Sequence, residues 1–297
     1  MAADNLRGIF LMLVSMALFA VEDMFLKLAS AGLPTGQIIF VAGVFGAPVF
    51  AVIAWRKGAR IFSPAALHKA VLARALGEMV GTFGYILALA TVPLSTISAV
   101  LQALPLAVTM AAALFMQEKV GWRRWTAIAV GFAGVMLVIR PGMEGFHPQA
   151  LWGILTVAGL ALRDLAARAI PRDCTDAQVS CWGLMAVALL GVLMMFGQGD
   201  VRVPTFAQSA MLFGAVAFGT IGYWAVTGAT RTGEVSVVAP FRYARLVFAI
   251  IIGAVVFAEM PDVITLSGSG LIIASGLYSF ARERARKRTL SLNATVG

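Results

Sequence analysis

The sequence predicts an all-α polytopic membrane protein of ten transmembrane helices, arranged as two inverted five-helix repeats, and three observations carry that prediction. Of its 297 residues, 60% are hydrophobic and 12% charged, where a soluble domain has roughly 45–50% and about 25%. The apolar residues form ten runs of the length a bilayer core requires, about 20 residues per helical crossing. Lysines and arginines collect in alternate connections between those runs. No alternating barrel pattern occurs, so helices are the remaining way to satisfy a backbone in lipid.

The runs lie near 6–28, 36–55, 70–91, 95–116, 123–140, 149–169, 177–197, 208–229, 235–257 and 264–281. The first follows Arg7 and carries Glu22, Asp23 and Lys27; it is too long and too polar for a signal peptide and has no small-residue cleavage site, so it is read as a span. On the third, Glu78, Thr82 and Tyr85 stand at i, i+4 and i+7, one face of a helix. Ser95, Ser98, Gln102, Pro105 and Thr109 line the fourth, which ends at Glu118. The fifth holds the Gly131-Phe132-Ala133-Gly134 stretch, and the sixth carries Arg163 and Asp164 ahead of Arg168. Cys174 precedes the seventh and Cys181 lies within it, a spacing that forms neither a metal site nor a disulfide framework. Thr220, Tyr223 and Thr227 make a stripe on the eighth, beside Trp224, while the ninth contains Pro240, Arg242, Tyr243 and Arg245 and closes at Glu259. The tenth carries Ser275-Gly276-Leu277-Tyr278 and runs into a basic tail from Arg282 to Arg288.

Net charge is +9, so the location of the 23 lysines and arginines decides between nucleic acid and membrane. With the N-terminus inside, 17 fall on inner stretches, only Arg140 and Arg202 on outer ones, and four within helices. That is the positive-inside pattern, with both termini cytoplasmic in a cell inner (plasma) membrane. It removes nucleic acid as a partner and makes the tail an anchor near anionic headgroups.

Gly81-Thr82-Phe83-Gly84-Tyr85 recurs 138 residues later as Gly219-Thr220-Ile221-Gly222-Tyr223. At a spacing of 141, Ser15, Asp23 and Lys27 meet Thr156, Asp164 and Arg168, and Ser95 and Glu118 meet Ser236 and Glu259. The common order points to duplication, with repeats over 1–145 and 146–297. Five crossings are an odd number, so the second copy enters from the opposite side, the architecture of secondary transporters.

On these residues the chain resembles the EamA-type drug/metabolite transporters. Members typically have a third helix with glycine and tyrosine (here Gly84-Tyr85 and Gly222-Tyr223), a fourth with a mid-span proline and a terminal acid (Pro105 with Glu118), and a Gly-rich fifth. Ala239-Pro240-Phe241-Arg242-Tyr243 followed by Phe257-Ala258-Glu259-Met260-Pro261-Asp262 is similar to the aromatic amino acid exporter branch. Pro240 lies 19 residues before Glu259 whereas Pro105 lies 13 before Glu118, so the two kinks are expected at different places. The resemblance implies a transporter of small metabolites, among them aromatic and other amino acids and nucleotide-like compounds.

Four acids (Glu22, Asp23, Glu78, Asp164) and four bases (Lys27, Arg163, Arg242, Arg245) sit at helix depth. Each would cost about 2.5–3.5 kcal/mol facing lipid at mid-membrane, so they are expected to face a cavity or one another. Glu78, Tyr85, Gln102, Arg163, Tyr223, Trp224, Arg242 and Tyr243 are the candidate substrate-binding residues: arginines for a carboxylate, Glu78 or Glu22 for an ammonium, aromatics for stacking or cation–π contact. Glu22, Asp23, Lys27, Asp164 and Arg168 are candidates for gating or coupling, with Asp23–Lys27 and Asp164–Arg168 as i, i+4 pairs at opposite mouths. The competing reading of those pairs is snorkelling at helix ends. Serines, threonines and glycines, Gly77 and Gly81 included, equally suit helix–helix packing. His68, His147, Glu118 and Glu259 are read as connection and end groups.

The leading function is a secondary transporter of small polar metabolites, most simply amino acids moved outward by alternating access; an importer or facilitated carrier of a nucleotide-like compound is the alternative. No cofactor or metal is called for, protons enter only if transport is coupled, and no oligomer is required. A membrane-embedded enzyme would need a nucleophile with its base or a His/Cys cluster at helix depth, and no such pattern is present. An ATP-driven pump lacks its Gly-x-x-x-x-Gly-Lys-Ser/Thr loop. A passive channel is separated from a carrier by counterflow.

Overall fold

The computed structural model describes the chain except residues 1, 119, 144, 145, 172, 233 and 297, and the side chains of 2, 3, 198, 231, 235, 236 and 286–296 also stand outside the described set. The expected roles of Lys119, Arg172, Arg231, Ser236 and the tail beyond 285 as inner-face groups or repeat partners therefore lie outside the described side chains. Among the described residues all regular structure is helical. Ten helices have the length and apolarity to span a membrane: α1 (Asp4–Ser30), α2 (Thr35–Arg56), α3 (Lys69–Leu89), α4 (Leu94–Phe115), α5 (Trp122–Ile139), α6 (Pro148–Ala167), α7 (Asp176–Gly197), α8 (Phe206–Thr230), α9 (Ala239–Phe257) and α10 (Val263–Ala285).

Local chemistry marks the ends. Proline stands at the N-cap of α2 and of the first part of α4, where a missing N–H and a fixed φ do no harm. Thr175 and Gln178 form a capping box on α7, and His68 Nδ1 accepts from Ala70 N at the start of α3. Asp262 accepts from Thr265 N at 2.9 Å to begin α10.

Two spans are broken at depth. The helix of α4 runs over Leu94–Leu101, stops at Gln102, and resumes over Leu104–Phe115. In α9 a 3-10 turn over Ala239–Tyr243 precedes the α-helix Ala244–Phe257. The prolines suggested unlike positions, yet the breaks correspond: Gln102 and Tyr243 are 141 residues apart. A proline only weakens its helix; the turn itself settles where the freed carbonyls face protein or cavity rather than lipid.

Packing is reciprocal between the halves. α1 lies on α8 and α3 on α6; α2 lies on α7 and α5 on α10. Across α1 and α8, Ser15 donates to the Gly222 carbonyl at 2.7 Å. Across α6 and α3, Thr156 stands so near Gly84 that an added Cβ would meet its Oγ1 at 2.9 Å. Gly77 is likewise held to the α6 backbone, 2.7 Å from the Gly159 carbonyl when a Cβ is added, which bears out the small-residue packing expected there.

With ten spans both termini lie at one end of the bundle, the terminal end. The far end is filled by the largest buried cluster, in which Leu26, Ile38, Ile39, Ile86, Leu89 and Leu94 are nearly sealed from solvent. Cys174 and Cys181 are buried free thiols, and burial raises the Cys174 thiol above its ordinary value.

Candidate functional site: a charged cavity between the halves

A cavity of about 750 Å³ lies between the halves, within the roughly 300–1,000 Å³ usual for small-molecule sites. Its floor is the far-end plug, reached at Leu26, Ile38 and Ile39, and it extends to the terminal end at Ala167, Arg168 and Glu283. Aromatic walls come from Phe19, Phe50, Tyr85, Tyr223, Tyr243 and Phe280.

Seven of the eight expected binding residues line it: Glu78, Tyr85, Gln102, Arg163, Tyr223, Arg242 and Tyr243. Trp224 does not. Its neighbour Tyr223 takes the inward position on α8, which turns Trp224 outward to 70% exposure on the membrane-facing side. Of the gating or coupling candidates, Glu22, Asp23, Asp164 and Arg168 line the cavity, and Lys27 sits beyond its floor.

The two i, i+4 pairs expected from the sequence do not form: Asp23, Lys27 and Arg168 find partners outside their own helix, and Asp164 pairs with its neighbour Arg163. Asp23, 1% exposed, accepts from Arg245: Nη2 is 2.9 and 2.8 Å from its two oxygens and Nε is 3.2 Å from one. A forked guanidinium satisfies a buried carboxylate more fully than a lysine one turn along. Arg245 also donates to Tyr85 Oη at 3.3 Å and lies over the Phe19 and Tyr85 rings. On the opposite wall Arg163 donates to Asp164 at 2.8 Å and Glu78 at 3.3 Å, with Arg74 3.7 Å from the other Glu78 oxygen. Glu78 is thus held between two cations, and Arg163 rather than Arg242 is its partner.

Lys27 reaches Glu259 at 2.6 Å and the Val92 carbonyl at 2.7 Å, and the second Glu259 oxygen accepts from Leu94 N at 2.8 Å. This group ties α1, α9 and the α3–α4 connection together across the far end, and its two side chains are 13% and 24% exposed. At the terminal end Arg168 meets Glu118 at 2.6 Å, with exposures of 42% and 48%. Since 27 corresponds to 168 and 118 to 259 at the 141-residue spacing, the two bridges are counterparts. The sequence supplied all four residues but not their pairing, which crosses between halves.

Two charged side chains among the described residues that line the cavity stay unmatched. Arg242 forms no hydrogen bond or ion pair and its side chain is exposed, open to the cavity; Asp164, Arg163 and Arg245 are its charged neighbours. Glu22 also has no partner, and its carboxylate rests against the backbone of Gly219 on α8. Tyr223 Oη lies 3.1 Å from Ser180 Oγ, and its ring meets Phe50 edge-on at 5.0 Å between centroids. No group of three or more His, Cys, Asp or Glu side chains placed to hold a metal occurs among the described residues.

The ten spans and this interior cavity define a polytopic membrane transporter, and the comparisons with known proteins agree. The model of the EamA-like transporter family matches residues 6–140 and again 147–280. The chain belongs to that family. It is 24% identical to an S-adenosylmethionine uptake transporter of Rickettsia bellii, over 93% of this chain and 94% of that one. It is 26% identical to a riboflavin transporter of Brucella anthropi, over 87% and 92%, and 23% identical to a pseudopaline exporter of Pseudomonas aeruginosa, over 93% and 96%. A solved crystal structure superposes with a TM-score of 0.61 over 94% of this chain and 98% of that one, at 17% identity, which is a likeness of fold alone. None of these three relatives is named for amino-acid export, so the resemblance to the aromatic amino acid exporter branch adds no support for that cargo.

Proposed function

We propose that this protein is a secondary transporter of the bacterial inner membrane for organic zwitterions, an amino-acid group carrying a large apolar or aromatic part. The observation that carries the reading is the unmatched Arg242 in a cavity whose other arginines, Arg74, Arg163, Arg168 and Arg245, are engaged by acids. A free guanidinium at membrane depth is costly unless an anion visits it, and a carboxylate is the anion it binds in bidentate fashion. Tyr85, Gln102, Tyr223 and Tyr243 supply stacking faces and polar atoms around it. Amino acids fit, and so does an amino acid bearing a nucleoside, which makes the relatives' S-adenosylmethionine compatible with the same cavity.

The mechanism is alternating access between inverted halves 1–145 and 146–297, with both termini cytoplasmic. The reciprocal helix pairs and the twice-matching family model support the duplication. The basic residues of the terminal end support the orientation. In that orientation the described state is inward-facing, shut outside by Lys27–Glu259 and the apolar plug. Passage to the outward-facing state would open that bridge and bury Arg168–Glu118 in its place. Export and uptake are both accessible to such a cycle, the gradients deciding direction. Uptake of nucleotide-like compounds is the second reading, favoured by the S-adenosylmethionine and riboflavin relatives.

Proteoliposome counterflow tests the proposal with phenylalanine, methionine, S-adenosylmethionine and riboflavin. Exchange stimulated by one of the first three from the opposite side is expected; flux without trans-stimulation would mark a channel, and riboflavin alone would mark the second reading.

A further inference from the structure

We infer that Glu22 is the subsite for the positively charged group of the cargo, seated by Gly219 on the neighbouring helix. The inference rests on the zwitterion reading above and names the half of the site that Arg242 leaves open.

The acids around the cavity are otherwise matched. Asp23 is taken by Arg245, Asp164 by Arg163, Glu78 by Arg163 and Arg74, and Glu283 by Arg124. Glu22 alone among the described lining acids has no cation or donor, although it opens onto the same cavity. The charged groups that face it are Asp23 on its own helix and Arg245 on α9. Arg245 is committed to Asp23 through two nitrogens, so it offers Glu22 a distant charge and no hydrogen bond.

The repeat sharpens the point. At the 141-residue spacing Glu22 corresponds to Arg163, and the α1–α8 crossing corresponds to the α6–α3 crossing. In the α6–α3 crossing the charge is compensated internally, Arg163 by Glu78. The position in α8 that corresponds to Glu78 is Val216 at the 138-residue spacing and Gly219 at 141, and neither carries charge. The α1–α8 crossing therefore presents an acid with no cation built opposite it. Gly219 completes the seat: an added Cβ would lie 2.6 Å from Glu22 Cδ and overlap the carboxylate, so only a glycine there leaves the group room against α8. A carboxylate held at membrane depth without a partner on the chain is neutralised by a proton or by a cation that enters the cavity, and the cationic group of a zwitterion bound at Arg242 is such a cation.

The test measures binding of four probes to the full-length protein in detergent by ligand-induced thermal shift and titration. Phenylalanine and S-adenosylmethionine carry an ammonium; 3-phenylpropanoate and riboflavin do not. Glu22→Gln keeps shape and hydrogen-bonding capacity, and should weaken the two ammonium probes at least about tenfold, as loss of a charged hydrogen-bond partner does, while leaving 3-phenylpropanoate unchanged. Gly219→Ala keeps the charge but displaces it and should produce the same split. Equal weakening of 3-phenylpropanoate and phenylalanine, or none, overturns the subsite while leaving the transporter reading in place. A variant that binds all probes normally but loses a pH response of transport would identify a proton site and overturn it too. Failure of the parent to bind either ammonium probe overturns the zwitterion reading and the subsite together.

Discussion

Gln102 Nε2 donates to the Tyr243 carbonyl at 3.2 Å, and the two residues stand 141 positions apart, the spacing at which Asp23 and Lys27 match Asp164 and Arg168. Each marks the break in its helix, so the breaks of α4 and α9 meet at the boundary between the halves. The side chain at one break thereby donates to the backbone at the other, and irregular backbone at membrane depth is tolerated where protein covers it.

That contact gives the first prediction. Gln102→Leu removes the donor and with it the one hydrogen bond seen between the two breaks, worth about 0.5–1.5 kcal/mol. If the contact supports the conformational step, transport by the variant in counterflow should fall about fivefold per kcal/mol lost from that barrier, with the protein still reaching the membrane. Gln102→Glu, an acceptor facing an acceptor, should be worse. Equal activity of all three proteins would detach the joint from function.

The far-end bridge gives the second. Glu259→Gln weakens the tie to Lys27 and the α4 N-terminus, and should raise outward exposure of the plug. Cysteines placed at Ile38 and Leu94, nearly sealed now, should become reactive to an impermeant thiol reagent added outside. Glu118→Gln loosens a half-exposed bridge worth about 0–1 kcal/mol here, the one the outward-facing state would bury, and should not raise that labelling.

The sequence made the class, the ten spans and the polar interior legible, because hydropathy and charge counts are one-dimensional properties. Glu78, Tyr85, Gln102, Arg163, Tyr223, Arg242 and Tyr243 were found for the same reason: a polar residue in an apolar run has few other places to go. Trp224 was not separable from Tyr223, since adjacent aromatics differ by 100° around a helix whose inward face only the packing reveals. The ion pairs were misread because i, i+4 spacing is visible along the chain while Asp23–Arg245 and Lys27–Glu259 join residues more than 200 positions apart. Correspondence of 27 with 168 and of 118 with 259 was in the sequence; that Lys27 pairs with Glu259 and Arg168 with Glu118 is a property of the crossing helices.

The third prediction concerns pH. Asp262 lies outside the spans, accepting from the Arg140 guanidinium and from Thr265 N, and these hold its carboxyl down to about 2. A depressed folded-state pKa contributes stability that is present above the unfolded value, near 3.9, and is lost as pH falls through about 2. Asp262→Ala should therefore destabilise the protein at pH 7 by the worth of a helix cap, about 0.5–2 kcal/mol, seen as a lower melting temperature. The difference from the parent should be constant between pH 8 and 5 and shrink only below about 4. A difference that varies around neutral pH would refute this account of Asp262.

The fourth prediction separates binding from folding at Arg242. Removing one member of a buried ion pair is destabilising because it strands the other charge, so Arg245→Ala, which strands Asp23, should lower thermal stability and membrane yield. Arg242 has no partner among the described residues to strand. Arg242→Ala should keep or raise the melting temperature while weakening carboxylate-bearing cargo by about tenfold or more, the loss of a charged hydrogen bond. Arg242→Lys should restore part of that affinity, since it keeps the charge but not the fork. Riboflavin, which has no carboxylate, should bind the parent and Arg242→Ala alike if it binds at all. The signature is a variant that folds as well as the parent and discriminates against one functional group of the cargo. Loss of stability in Arg242→Ala would instead assign the residue to the scaffold and leave the cavity without an anion site.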